Sequence, residues 1–468
     1  MTDWNNKEEV LKELEYEGYY LEYASEELKS DREFILSAVK KNGSALEYAS
    51  KELKADKEVV LAAVKQDGYA FSYASEKLKK GKEIFDTAKE ALIAKWKKEM
   101  LQDGFVDVEK LEYVFADDSI KSDRDIVMAA VQADDFALEL ADKKFRSDRE
   151  VVMVAVQHNG CALYDADEKF RSDREVVMAA LQSDGTSLQF ADETLRSDRE
   201  FILEAIEIAV EYPDIDSDVP PFFYYVDEEL KSDREVVLAA VKRDGSALQY
   251  VSDELQTDKE VVLAAVKNNG FVLFYASKFQ ADKEVVLAAV KNNSAALYSA
   301  SKELKSDREV VMAAVKESGF SFQFASDELR ADREFVLATV NVHGHLIKYL
   351  GDVLKADREI VMAAVNQRGS ALQYASDEFK GDKEVILVAV KSFGDNLQYA
   401  SDEFKGDKEV VLTAVKDRAE ALKYASKELQ ADKEVVLAAV KQSRYAIMYA
   451  NGSLKNDPEF MKEVEQYL

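Results

Sequence analysis

The chain has 468 residues, of which 47% are apolar and 33% are charged, and no apolar run approaches the roughly 20 residues that a membrane-spanning helix needs. We therefore expect no membrane insertion. The 63 basic and 92 acidic residues give a net charge of −29, which disfavours nucleic acid and anionic lipid as partners. The single cysteine, Cys161, excludes an intramolecular disulfide and a cysteine-built zinc site.

A motif close to Ser-Asp-Arg-Glu-Val-Val-Leu-Ala-Ala-Val-Lys recurs along the chain, usually every 25 residues when its Asp is taken as the anchor. One interval is 24 residues, and two longer ones of 42 and 35 residues mark insertions. Only 4 prolines and 17 glycines leave little material for linkers between domains. We therefore predict a single continuous repeat array over residues 1–468.

The first predicted element covers residues 1–30, an N-terminal cap followed by a short helix. Asn6 lies one period before Asp31 and is placed to begin a helix. In that helix Glu9 and Glu13 replace residues that are apolar in other copies, which predicts a polar outer edge.

Each later repeat begins with a helix, which we call its A helix. Apolar residues three, four, seven and eight places after the anchor follow the helical period, for example Val59, Val60, Ala63 and Val64. The anchor Asp is predicted to be the N-cap, because the preceding Ser is Ala or Gly in several copies and these cannot cap through a side chain. We assign this structural role, in place of a catalytic one, to Asp31, Asp56, Asp148, Asp173, Asp233, Asp307, Asp357, Asp432 and Asp457.

A shorter helix, predicted from segments such as 44–50, follows a glycine. Gly43, Gly68 and Gly245 are predicted to end the A helix in the left-handed conformation. An aromatic residue lies eight places before most anchors, for example Tyr48 and Phe324. This aromatic ladder has two interpretations, packing between repeats or a recognition strip.

Two insertions and a terminal helix complete the chain. The segment 82–122 is predicted to extend an A helix and to carry Trp96, and 211–222 is an acidic, proline-containing insertion followed by Phe223. The acidic run 214–218 lacks the glycine and the bidentate glutamate of a calcium loop. Residues 457–468 are predicted to form a polar capping helix. The fold prediction is an all-α solenoid of about 17 two-helix repeats, with polar caps at both ends.

Candidate binding residues are those at positions that vary from repeat to repeat while their neighbours do not. Such positions in a solenoid line a loop edge or a concave surface, although free variation at an exposed site explains them equally well. The candidates are Tyr69, Phe136, Phe271, Phe320, His345 and Tyr445, together with Trp96, Phe222 and Phe223 of the insertions. Three histidines in the whole chain are too few for a convincing metal site, so we predict no metal and no cofactor.

The repeat, with its Leu-x-Tyr-Ala-Ser-x-Glu-Leu-Lys-x-Asp-Arg-Glu-Val-Val-Leu-Ala-Ala-Val-Lys-x-Asn-Gly pattern, resembles the family known only as domain of unknown function 4116. The resemblance implies a repeat architecture and occurrence in some intracellular bacteria and protists. The family has no established activity, so no functional residues can be carried over from it. The unit length is also similar to that of leucine-rich-variant solenoids.

These patterns favour a non-enzymatic scaffold that binds a protein or peptide along the solenoid. One alternative is an effector or regulatory protein delivered into another cell, and the other is an enzyme with a site in the concave face, which the scarcity of His and Cys disfavours. We expect a monomer, because both ends are capped. The N-terminus has no apolar core of a signal peptide, so we expect a cytoplasmic location, with signal-independent secretion as the other possibility.

Overall fold

The computed structural model describes residues 3–16, 18–102, 108–134, 136–210 and 220–467. Every regular element in these ranges is helical, and tandem repeats of about 25 residues follow one another, so the prediction of an all-α solenoid is confirmed. The chain forms two compact units, unit 1 (Met1–Lys231) and unit 2 (Ser232–Leu468). The acidic run 214–218 lies outside the described residues.

The A helices begin directly after the anchor residue, and most are ten residues long. In Lys57–Gln66 the buried residues are Val59, Val60, Ala63 and Val64, which is the face that the apolar spacing predicts. The A helices are Lys7–Glu13, Arg32–Lys41, Lys57–Gln66, Lys82–Gln102, Arg124–Val131, Arg149–His158, Arg174–Ser183, Arg199–Ile208, Arg234–Arg243, Lys259–Asn268, Lys283–Asn292, Arg308–Glu317, Arg333–Val340, Arg358–Gln367, Lys383–Ser392, Lys408–Asp417, Lys433–Gln442 and Pro458–Val464.

The second part of each repeat, expected as one short helix, consists of two helical pieces. The first piece, the B helix, is in most repeats a 3₁₀ helix of five or six residues such as Gly43–Tyr48. The others are Gly18–Tyr23, Gly68–Tyr73, Gly160–Tyr164, Gly185–Phe190, Phe222–Tyr225, Gly245–Tyr250, Gly270–Phe274, Ser294–Ser299, Gly319–Phe324, Gly344–Tyr349, Gly369–Tyr374, Gly394–Tyr399, Ala419–Tyr424 and Arg444–Tyr449, with α-helices Val108–Phe115 and Ala137–Leu140 in two repeats.

The second piece is a turn of α- or 3₁₀ helix that we call the C turn. The C turns are Glu26–Ser30, Leu53–Ala55, Glu76–Lys79, Asp118–Lys121, Lys143–Arg146, Glu168–Arg171, Glu193–Arg196, Leu230–Ser232, Leu255–Thr257, Ser277–Phe279, Lys302–Lys305, Asp327–Ala331, Asp352–Lys355, Asp377–Lys380, Asp402–Lys405, Leu429–Ala431 and Gly452–Lys455, and a last 3₁₀ turn is Glu465–Tyr467. The break before the C turn frees a backbone amide for the preceding repeat: Ser50 donates to the carbonyl of Lys29 at 3.0 Å, and Ser75 donates to that of Lys54 at 2.9 Å. One continuous helix would have used these amides internally.

The glycine that opens most B helices is required by close packing, and the prediction of a left-handed helix end was wrong. The A helix Arg234–Arg243 of unit 2 is followed by its C-cap residue, Asp244, which has an extended backbone (φ −138°, ψ 110°). The Asp244 carboxylate accepts the amide of Ser246 at 2.9 Å. A Cβ atom added to Gly245 would lie 2.5 Å from the carbonyl oxygen of Ala265 in the next A helix. Gly245 therefore sets how closely the next repeat approaches.

An amide side chain near the end of many A helices joins consecutive repeats. Asn268 accepts the amide of Gly245 at 2.7 Å and donates to the carbonyls of Lys242 and Arg243 at 3.0 and 3.2 Å. It thus satisfies carbonyls left free at the end of the preceding helix. Gln66, Asn292 and Gln367 form the same contacts with the repeats before them.

Each unit has two layers of elements with the apolar core between them. A helices of successive repeats pack side by side, as Lys259–Asn268 does against Lys283–Asn292. The B helix Gly270–Phe274 packs against both of these A helices and against the B helix Ser294–Ser299. One surface of a unit is therefore formed by A helices, and the other by B helices.

The extended and terminal helices follow the same pattern. Lys82–Gln102 has 21 residues and buries Ile84, Ala88, Leu92 and Trp96. At the beginning, the Asn6 side chain accepts the amides of Glu8 and Glu9, and Val10 is buried.

Candidate functional site

The repeated Asp-Arg-Glu triplet caps helices and links repeats. The Asp56 carboxylate accepts the amides of Glu58 and Val59 at 3.0 and 3.1 Å, so Asp56 is the N-cap of its A helix. N-cap side chains accept main-chain amides in the same way at Asp31, Asp148, Asp173, Asp233, Asp307, Asp357, Asp432 and Asp457.

The basic residue of the triplet reaches forward to the acids of the next repeat. Arg32 contacts Asp56 at 2.8 Å and Glu58 at 2.5 Å, and Lys259 contacts Asp282 at 2.8 Å. We call this series of contacts the ion ladder. Its other cations include Lys7, Lys57, Arg124, Arg149, Arg174, Arg234, Lys283, Arg308, Arg333, Arg358, Lys383, Lys408 and Lys433.

The ion ladder stabilises the charged form of the cap carboxylates. A hydrogen bond from Arg32 holds the pKa of Asp56 below its ordinary value of 3.8, and the Asp56 contacts with backbone amides add to the effect. The preceding cation likewise lowers the pKa of the carboxylates at Asp258, Asp282, Asp357 and Asp457. The triplets thus act as helix starts whose cap carboxylates are held in their charged form.

Four of the candidate binding residues are buried, which corrects the expectation that they line a surface. Trp96 is 0% exposed, and its indole nitrogen donates to the hydroxyl of Tyr69 at 2.7 Å. Tyr69 is buried beside it, since the extended A helix covers the B helix Gly68–Tyr73. Phe222 and Phe223 are also buried, as residues of the B helix Phe222–Tyr225. These aromatic side chains belong to the core and cannot receive a partner.

The remaining candidates are accessible to different extents. Phe136, Phe271, Phe320 and Tyr445 are exposed, and His345 is half-buried. Three of them lie near one another along the array: Phe320 and His345 are in consecutive B helices, and one B helix separates Phe271 from Phe320.

Unit 2 brings these two phenylalanines into a larger aromatic surface, which we call the aromatic ridge. It consists of Phe271, Phe274, Tyr275, Tyr298, Phe320 and Phe324. They lie in or beside three consecutive B helices that pack against one another, Gly270–Phe274, Ser294–Ser299 and Gly319–Phe324. The first five are between 47% and 64% exposed.

Ring contacts join five members of the ridge in two groups. The centroids of Tyr298 and Phe324 are 5.6 Å apart in an edge-to-face arrangement, as are those of Phe320 and Phe324. Phe274 and Tyr275 form a similar pair at 5.4 Å. Such contacts orient the rings before a partner arrives.

Sequence reasoning missed Tyr298 as a member of this surface. Where the aromatic ladder is interrupted by Ser299, Tyr298 stands one residue earlier, and Tyr164 stands in the same way before Asp165. The displaced aromatic was the available signal, because a one-residue shift on a short helix turns the ring outward.

The other polar candidates do not form a site. The rings of His343 and His345 are 5.6 Å apart, and burial lowers the pKa of His345. Cys161 donates to the carboxylate of Asp184 at 3.3 Å. In the part of the chain that the structure describes, no three His, Cys, Asp or Glu residues are grouped so as to hold a metal ion. No helix among the same residues is long and apolar enough to span a membrane.

Comparison with known families finds a match that extends over most of the chain. The model of a domain of unknown function, DUF4116, matches overlapping segments from residue 6 to residue 464. The matched segments are 6–54, 31–79, 56–88, 106–146, 123–171, 148–196, 173–231, 215–256, 233–280, 282–330, 332–380, 382–430 and 432–464. A match such as 282–330 spans two of the repeats described above. No curated protein is significantly similar to the chain. Because the matches extend over nearly all of its length, the chain belongs to the DUF4116 repeat family.

Proposed function

We propose that the chain is a non-enzymatic scaffold that binds a protein or peptide segment through the aromatic ridge of unit 2. The ridge is the observation that carries the proposal. Five large aromatic side chains on three adjacent B helices each expose about half of their surface or more. Contiguous exposed apolar patches of this kind on soluble proteins are typical of interaction sites.

The chemistry of the ridge favours a partner with apolar or proline side chains. Aromatic rings that are already oriented contribute a large contact area at little cost in conformational entropy, and such residues dominate the energetics of protein interfaces. The neighbouring repeats carry small or polar residues at the positions of the ridge aromatics, for example Ser246, Ser370 and Gln373. The repeat therefore forms without these rings, and their presence in consecutive B helices calls for a separate explanation.

The experiment uses a triple variant built from residues that the array itself carries. Phe271→Ser, Tyr298→Gln and Phe320→Ser convert the ridge to the pattern of other repeats. A random peptide library is first selected on the full chain, and the affinities of selected peptides are then measured by fluorescence polarisation. We expect the ridge variant to bind at least about tenfold more weakly, the loss expected when interface anchors are removed.

A position-matched control carries the substitutions Phe136→Ser, Tyr164→Gln and Tyr445→Ser. These three aromatics are also exposed, but only Phe136 and Tyr164 lie in or beside consecutive B helices, and Tyr445 lies many repeats away from both. The control variant should keep the affinity of the original chain, and circular dichroism should show that both variants remain helical. Equal loss in both variants, or selected peptides that bind the ridge variant unchanged, would contradict the proposal.

A further inference from the structure

A second surface of unit 2, on the A-helix layer, carries two parallel rows of side chains. The apolar row consists of Leu238, Leu263, Leu287 and Met312, which are half-buried at one position of four consecutive A helices. The lysine row lies one helical turn later and consists of Lys242, Lys267, Lys291 and Lys316, all exposed. Residues four apart lie on the same face of a helix, so the two rows run side by side.

Shallow grooves lie between these helices. One groove of about 590 Å³ is lined by Leu263, Lys267, Leu287, Ala288 and Lys291. The neighbouring groove continues it through Leu238, Lys242 and Ala264. An apolar floor with a basic edge is thus repeated from one helix to the next.

The lysines of the row differ from the cations of the ion ladder. Among the described residues, the structure shows no acidic partner within ion-pair distance of these four ammonium groups. The acids that reach the grooves, Glu260 and Glu284, are already paired with Arg234 and Lys259 of the ion ladder. The edge of the grooves therefore presents uncompensated positive charge on a chain whose net charge is −29.

Helix formation does not explain the lysine row. A lysine near a helix C-terminus interacts favourably with the helix dipole, which is the simplest alternative. However, the A helices Arg149–His158 and Arg174–Ser183 of unit 1 have the same length and carry Gln157 and Gln182 at this position. The same helix is thus formed and ended without a lysine there.

We propose that the lysine row and the apolar row bind an extended acidic peptide segment with apolar side chains between its carboxylates. Adjacent packed helices are about 8–10 Å apart. An extended chain rises about 3.1–3.4 Å per residue, so a carboxylate at every third residue matches successive lysines. The lysine row would then pair with the carboxylates of the segment, and the apolar row would contact its apolar side chains.

A nucleic-acid strand fits this surface less well than a peptide. A strand would carry its regular phosphate charges past the whole chain, whose net charge repels them, and it would leave the apolar row uncovered. The site lies on a different layer from the aromatic ridge and does not depend on the function proposed above. The two proposals can therefore fail separately.

The test uses the full chain and a fluorescein-labelled peptide of four Glu-Leu-Ser repeats. A shorter second run of the row, Lys391, Lys416 and Lys441, occupies the equivalent positions of three later A helices. The row variant therefore replaces Lys267, Lys291, Lys316, Lys391, Lys416 and Lys441 by Gln, the residue found at this position in the A helices Arg149–His158 and Arg174–Ser183. We expect at least about a tenfold loss of affinity, because a peptide bound along either run loses up to three exposed ion pairs, each of them individually weak. The binding of the original chain should weaken as NaCl rises from about 50 mM to about 300 mM.

The control variant makes the same charge change elsewhere. It replaces Lys51, Lys77, Lys143, Lys278, Lys302 and Lys427, exposed residues in or beside C turns, by Gln. Its affinity should stay within about twofold of the original, because none of these six lysines lines the two grooves. A peptide of Gln-Leu-Ser repeats and an isomer with its four Glu residues in one block should both bind more weakly.

Four results would overturn the inference. The first is no binding of the Glu-Leu-Ser peptide by the original chain, and the second is equal loss in the row and control variants. The third is equal affinity for the Gln-Leu-Ser peptide or for the blocked isomer. The fourth is a short single-stranded DNA that binds more tightly than the peptide and loses that binding in the row variant.

Discussion

At the scale of single residues, the three members of the anchor triplet have separate roles. Asp56 accepts two amides of its own helix, while Arg32 of the repeat before it contacts both Asp56 and Glu58. The cap acts within three residues, and the ion pair acts between repeats. The two contributions can therefore be separated by substitution.

We predict that Asp56→Ala destabilises its repeat by about 1 kcal/mol, because the amides of Glu58 and Val59 lose their acceptor. Asp56→Asn should cost less, since Asn also caps helices and exposed ion pairs contribute little. Urea denaturation of the full chain and hydrogen exchange at these two amides would measure the difference. Glu58→Gln is the control that weakens the ion ladder and leaves the cap. A loss as large in the Asn variant as in the Ala variant would show that the ion pair dominates.

At the scale of elements, the transition from A helix to B helix decides how repeats stack. Asp244 ends one helix and caps the next, Gly245 admits the carbonyl of Ala265, and Asn268 ties the junction to the preceding helix end. Three residue types in two repeats thus form one junction. Its geometry depends on the missing Cβ atom more than on backbone freedom.

We predict that Gly245→Ala destabilises unit 2 by about 1–3 kcal/mol, the range found for overpacked sites. Ala419 occupies the same place in another repeat, so the layers can adjust locally, and the lower part of this range is expected. Thermal denaturation followed by circular dichroism provides the measurement. Gly452→Ala is the matched control, because a Cβ atom at Gly452 meets nothing within 4 Å. Equal effects of the two substitutions would contradict the packing role assigned to Gly245.

At the scale of the whole molecule, much of the acidity belongs to helix starts repeated along both units. The net charge of −29 includes carboxylates that accept amides and contact cations of the ion ladder. Their charged form is therefore part of the folded structure. Acid should protonate the cap carboxylates and so destabilise many repeats together, whereas a substitution destabilises the repeat that carries it.

We predict that the melting temperature is nearly constant from about pH 8 to pH 5 and falls steeply below about pH 4. The cap carboxylates, such as Asp56 and Asp258, have native pKa values below the ordinary value of 3.8, so the unfolded chain binds more protons in acid. Their stabilisation is present above the unfolded pKa and is lost as the pH falls through the native pKa. Thermal denaturation in about 150 mM salt, where long-range repulsion is screened, tests this expectation. A melting temperature that rises below pH 4 would show that relief of acidic repulsion outweighs the caps.

The sequence by itself determined the features that depend on near neighbours. The period, the buried face of each A helix and the start of each helix at its Asp rest on contacts within about eight residues, and the repeated pattern makes them readable. The exposure of Phe271 and Phe320 agrees with the variability of their position, whereas Tyr69, at the same position of another repeat, is buried. These features recur in nearly every copy, so each copy supports the others.

The tertiary structure alone decided which aromatic residues are accessible and why glycine begins the B helix. Trp96 donates to Tyr69 across 27 positions of the chain, and the carbonyl of Ala265 lies 20 positions beyond the glycine that it approaches. Tyr298 joins the aromatic ridge through a ring 26 positions away. Such contacts join one repeat to the next. The residue spacing within a single repeat does not show which of its side chains the next repeat covers.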